Sequence, residues 1–82
     1  MDDTVIRSSR GQIRVVSEDP EFKLNDELIA HLERALEDVD PSDPRSVTTH
    51  INGRLATSHT VDRVTHDKSD APTAYIRRKN GI

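Results

Sequence analysis

The sequence predicts a small α+β domain, and three patterns carry that prediction. Val5, Ile6, Ile13, Val15 and Val16 flank Arg10-Gly11, as two strands flank a turn. Leu28, Leu32, Ala35, Leu36 and Val39 recur at helical spacing. Strand-type residues then surround Asn52-Gly53 and return between Thr73 and Arg78. The expected architecture is an N-terminal β-hairpin, one amphipathic helix over about 25–39, and two or three further antiparallel strands packed against that helix. With 82 residues, one domain over 1–82 is the ceiling, because domains typically need about 100–150 residues.

Each element has a local cause. If Arg10-Gly11 is a two-residue loop, Ile6 pairs with Val15 on one face and Arg7 lies across from Arg14 on the other. Like charges facing each other across strands repel. Arg7, Arg10 and Arg14 thus gather on one hairpin with no acid between them, as an anion-binding surface would. Asn25 is placed to cap the helix, and Asp26 and Glu27 suit the positive end of its dipole. Leu24 and Ile29 are spaced for a hydrophobic staple, Arg34 and Asp38 for an ion pair, and Pro41 stops the helix by Asp40. Asp40 to Ser46 reads as a turn-rich connector. Val47 to Val64 reads as a second hairpin around Asn52-Gly53. Its parity is awkward, since with a two-residue loop Val47 and Ile51 face one side and Leu55 the other. Asp67 to Pro72 is a loop, Thr73 to Arg78 a last strand anchored by Tyr75, and residues 79–82 are expected to fray.

Composition narrows the function classes. Phe22 and Tyr75 are the only aromatics and 32% of residues are hydrophobic, so the core is thin and aliphatic. A core of this size rarely leaves more than about 3–5 kcal/mol of net stability, which points to association, most simply a homodimer. No apolar run approaches the roughly 20 residues of a membrane helix, and Met1-Asp2-Asp3 does not open a signal peptide, so the expected setting is cytoplasmic, without membrane. There is no cysteine, hence no disulfide framework and no thiolate metal site. The net charge of -3 is unevenly spread. Residues 18–43 hold ten acids against Lys23 and Arg34, and the remainder holds ten bases against five acids.

Catalytic and cofactor patterns are not found. Neither a P-loop nor a GxGxxG spacing occurs. Ser58 and His59, as neighbours on a strand, point to opposite faces and so are not expected to act as nucleophile and base. His50, His59 and His66 lie near Asp62, Asp67 and Asp70, but at no metal-ligand spacing. The expectation is therefore no enzyme, no metal and no cofactor.

Ser8-Ser9-Arg10-Gly11-Gln12-Ile13 resembles the opening of the AbrB/SpoVT/MazE family of small dimeric swapped-hairpin proteins. The resemblance implies a transcription regulator or antitoxin whose first hairpin meets double-stranded DNA, with Arg10 at the matching basic position and Gln12 beside it. Arg7 and Arg14 join them through the hairpin argument. The family's usual Ile-Pro step is replaced here by Ile13-Arg14-Val15-Val16. The alternative is an inhibitor or accessory subunit that binds a basic protein partner through Glu33, Glu37 and Asp38 on an acidic helix.

Overall fold

A computed structural model describes residues 2–55, 57–66 and 71–79. The α+β class holds, with one more helix than expected and a mixed sheet. The order along the chain is β1 (Asp2–Ser8), β2 (Gly11–Ser17), α1 (Asp26–Ala35), α2 (Pro44–Asn52), β3 (His59–Thr65) and β4 (Thr73–Arg78). The strands form one sheet in the order β1-β2-β4-β3, antiparallel except where β2 meets β4. Both helices lie on one face. Ile6, Ile13, Val15, Val61, Ala74 and Ile76 meet Leu24, Leu32, Leu36, Val39, Val47 and Ile51 there in one aliphatic core. Strand alternation sends Asp3, Val5, Arg7, Gln12, Arg14, Tyr75 and Arg77 to the opposite face, which no helix among the described residues covers.

The first hairpin forms as expected, but with its loop one residue earlier and its pairing shifted by two. Ser9-Arg10 is the two-residue loop, Ser8 pairs with Gly11, and Ile6 sits opposite Ile13. Arg7 therefore faces Gln12 and Arg14 faces Val5, so the expected Arg7–Arg14 opposition is not formed. Gly11 serves a different need from the turn. Its φ is +152°, and a Cβ there would come 3.1 Å from Pro41 Cγ, so a side chain is excluded by both backbone and neighbour.

Helix α1 starts where the sequence places it, with Asn25 Oδ1 accepting from Leu28 N–H at 2.8 Å. It ends at Ala35 instead of running to Val39, because the next residues are used elsewhere. The Glu37 carbonyl accepts from Ser9 N–H at 2.7 Å, and the Val39 carbonyl accepts from the Ser8 hydroxyl. The chain leaves the helix to clasp the hairpin turn. Arg34 and Asp38 form no ion pair among the described residues.

The expected hairpin around Asn52-Gly53 is replaced by α2. Asp43 caps it by accepting from Ser46 N–H at 3.3 Å, with Pro44 at the first position. Val47 and Ile51 are buried side by side one turn apart, and Leu55, one turn further, also packs on the core. The awkward strand parity is ordinary i, i+4 spacing. Gly53 has φ -65° and is a helix end here, not a hairpin turn.

The second pair of strands is β3 with β4. Strand β4 covers the expected Thr73–Arg78, yet it is an inner strand, and its buried anchors are Ala74 and Ile76. Tyr75 points to the open face. Of the expected frayed end, Lys79 donates its N–H to the Ser58 carbonyl at 2.8 Å; residues 80–82 lie outside the described residues, as do Asp67 and Asp70. No helix among the described residues is long and apolar enough to cross a membrane.

Candidate functional site

The open sheet face gathers three of the four residues expected to meet DNA. Arg7 and Gln12 are direct cross-strand partners and Arg14 is the next outward residue on β2. Arg10 stands apart in the turn, with Nη1 3.9 Å from Asp40 Oδ2. Both partners of that contact are well exposed, so it holds Arg10 weakly. The hairpin is not free of acid, as the sequence suggested: Asp3 Oδ2 accepts from Arg14 through both Nε and Nη2. Arg7 makes no ion pair among the described residues.

Further along the same face, Arg63 spans Glu18 at 3.0 Å and Asp62 at 2.7 Å, and Arg77 reaches Asp62 at 3.0 Å. The Arg63 guanidinium also lies over the Tyr75 ring, 4.0 Å from its centroid. Hydrogen bonds from Arg63 and Arg77, the first the larger influence, hold the Asp62 carboxyl below its ordinary range. The β-bulge between Val61 and Arg63 makes this cluster possible, since it turns Asp62 toward the two arginines.

The other layer carries the opposite sign. The segment 21–55, which contains both helices, holds eight acids and four bases. Glu33, Glu37 and Asp38, the residues of the alternative reading, are exposed at the end of α1 and just beyond it.

Sequence reasoning missed one constellation. Ser58 precedes the first residue of β3, so strand alternation does not separate it from His59, and the expectation that they point apart is incorrect. Ser58 Oγ lies 2.9 Å from His59 Nδ1, and His59 Nε2 lies 2.9 Å from Asp19 Oδ2. The ionised carboxylate can only accept, so His59 Nε2 is the donor to Asp19. Phe22 stacks on the imidazole at 4.1 Å, and Arg78 approaches Asp19 at 3.0 Å. The hydrogen bond from His59, then that from the Glu21 backbone, keeps the Asp19 carboxyl below its ordinary value.

The order of groups is that of a charge-polarised serine, but the surroundings are those of a structural tie. A depression lined by Glu18, Asp19, Pro20, Arg77 and Arg78 reaches Asp19 but is lined by neither His59 nor Ser58. Asp19 belongs to the loop between β2 and α1, whose path is also fixed by the buried Ser17 hydroxyl donating to the Phe22 carbonyl at 2.7 Å. The relay therefore pins that loop to the start of β3. A partial signal was present in the Ser58-His59 pair ahead of a strand, though 40 positions separate Asp19 from His59.

The other histidines do not join it. His50 Nδ1 bonds to the Ser46 carbonyl on α2, and His66 is exposed after β3. No cluster of three potential metal ligands occurs among the described residues. No family model matches the sequence, and comparison with curated proteins and with solved structures gives no match.

Proposed function

We propose that this chain is a small non-enzymatic module that binds double-stranded DNA through the open face of β1 and β2, as a cytoplasmic transcription regulator or antitoxin-like protein. The observation that carries the reading is the unequal charge of the two layers. The open face holds four arginines (Arg7, Arg14, Arg63, Arg77) against Asp3, Glu18 and Asp62, whereas the helical segment has twice as many acids as bases. A chain of net charge -3 approaches a polyanion best by the side where bases outnumber acids.

The arrangement suits a duplex better than a single strand. Single-strand binders stack bases on open aromatic rings, and here Arg63 already covers Tyr75. Phosphate contact needs only cations and geometry. Arg7 beside Gln12 offers, in addition, the two side-chain types that read guanine and adenine edges. The resemblance of Ser8 to Ile13 to a DNA-binding family's opening points to the same hairpin.

The test is fluorescence anisotropy of a labelled duplex titrated with protein from low to physiological salt. Binding should weaken with salt with the log–log slope of several phosphate contacts. Arg10→Glu and Gln12→Glu, both exposed and away from the core, should each weaken it while leaving the circular dichroism spectrum unchanged. No binding at low salt, or equal binding by both variants, refutes the reading.

The exposed acids at the end of α1 favour a second reading, a module that binds a basic protein through Glu33, Glu37 and Asp38. Loss of a captured basic partner on Glu33→Lys/Glu37→Lys, in a chain that ignores DNA, would decide for it.

A further inference from the structure

The two edges of the sheet are built differently. On β3 the bulge interrupts the strand, and Asn52 Oδ1 takes up the Val61 N–H at 2.8 Å and the Thr60 hydroxyl at 3.3 Å. Both devices discourage another strand from adding there. On β1 neither is found. It is seven residues long, is regularly paired on its inner side, and carries Val5, the one large apolar side chain markedly exposed among the described residues, at 53%.

The hairpin fixes which backbone groups that edge presents. A two-residue loop closes on a bonded pair, so Ser8, Ile6 and Thr4 spend their N–H and C=O groups on β2. Asp3, Val5 and Arg7 must then point theirs outward, away from the sheet. The parity is confirmed from the other side of β2, where Arg14 N–H donates to the Pro72 carbonyl and Glu18 N–H to the Ile76 carbonyl. A flat row of unpaired donors and acceptors is a template for strand addition.

We infer that the occupant of this edge is a second copy of the same chain, with β1 pairing antiparallel to β1 about a two-fold axis through Val5. The side chains select that partner and that register. In it, Val5 faces Val5 of the second copy, and Asp3 faces Arg7 of the second copy, twice by symmetry. A two-fold interface must be self-complementary, and the spacing acid–apolar–base at positions 3, 5 and 7 is. Asp3 has an oxygen to give, because its bonds from Arg14 go to Oδ2 and Oδ1 accepts nothing among the described residues. Arg7 likewise has no ion-pair partner among them. The product is one continuous eight-stranded sheet with both open faces on the same side. This association stands whether or not the face binds DNA, and its test reads assembly alone.

The test is sedimentation velocity of the full chain from micromolar to millimolar concentration, with charge exchange. Arg7→Asp sets Asp against Asp, and Asp3→Arg sets Arg against Arg, so each variant alone should raise the dimer dissociation constant about 10–30-fold. Mixed in equal amounts they restore both pairs, and a heterodimer should reappear. Should Asp3→Arg fail to fold, Val5→Pro decides, since it removes the central outward N–H and leaves the β1–β2 bonds intact; a dimeric Val5→Pro overturns the inference. So does a wild-type chain that stays monomeric, an Arg7→Asp variant that dimerises as well as wild type, or a mixture of folded variants that does not associate.

Discussion

Asn52 is the residue whose removal tests most of the fold at one point. It ends α2, and its side-chain oxygen accepts the Val61 N–H at 2.8 Å, so one exposed amide joins the helical layer to the free edge of β3. Val61 is 8% exposed, and in Asn52→Ala its N–H loses its partner in a place water reaches poorly. Leaving such a donor unsatisfied costs about 1–3 kcal/mol. For a domain of this size each kcal/mol lowers Tm by about 4–8 °C, which places the expected drop at about 4–24 °C. Asn52→Asp separates the hydrogen bond from other effects. It keeps the acceptor and adds only a negative charge at a helix C-terminus, worth about 0.3–1 kcal/mol. Thermal denaturation by circular dichroism ranks the three proteins, and amide hydrogen exchange at Val61 shows where the change sits. The expected order is wild type, then Asp, then Ala, with Val61 exchange fastest in Ala. If Asn52→Ala melts with wild type and Val61 exchanges unchanged, the account of this edge is wrong.

Other consequences follow from single contacts. Gly11→Ala forces a Cβ into a left-handed backbone and against Pro41 at 3.1 Å; it should cost about 1–3 kcal/mol in urea denaturation, and no loss would refute the close approach. Leu36→Ala empties a fully buried position at a cost of about 2–5 kcal/mol, comparable to the whole stability, so its near-ultraviolet and amide spectra should be those of a largely unfolded chain at 25 °C. Asp19, Asp40 and Asp62 all ionise below their ordinary value of 3.8 in the folded chain. Depressed carboxyl values mean the unfolded chain binds more protons, so their stabilisation is whole above that value and drains as pH falls through the folded values. Acid denaturation should therefore begin below the ordinary carboxylate range, and Asp19→Asn should make the pH dependence shallower; an unaltered slope would show that the His59–Asp19 tie contributes nothing.

What could be read in the sequence was whatever depends on neighbours in the chain. Asn25 caps α1, Asp26 and Glu27 follow it, and the apolar stripe from Leu28 buries Leu32 and Leu36; these are interactions within a turn or two. Thr73–Arg78 was legible as a strand for the same reason. The errors share a cause in contacts from afar. Helix α1 stops early because Ser8 and Ser9, nearly 30 positions back, take the carbonyls that follow it. The hairpin loop moved back by one residue, and the pairing by two, because Gly11 is needed under Pro41, not in the turn. Asn52-Gly53 has two local meanings, hairpin turn and helix end, and the choice belonged to Asp43-Pro44 upstream, whose cap and first position commit the next two turns to a helix. The candidate site divides in the same way. That Arg7 and Gln12 share a face was fixed by local alternation once the hairpin existed, but Asp3 beneath Arg14 depended on the register, and the Asp19–His59–Ser58 tie on tertiary approach.

The mixed sheet follows from these ends, and it explains why one face is left open among the described residues. Strand β4 must lie between β2 and β3, since β2 has its outer side on β1 and β3 has its outer side closed by Asn52. The connection from β2 through both helices to β3 then has to cross one face of the sheet, and the core it buries there contains nearly all the large aliphatic residues of the chain. Too little apolar surface remains to cover a second face. With only Val5 strongly exposed among the described residues and Val16 tucked beside Tyr75, the open side is furnished with arginines, threonines, a glutamine and the acids Asp3 and Asp62 that pair with the arginines. Such a surface gains little by burial against a further layer of its own chain.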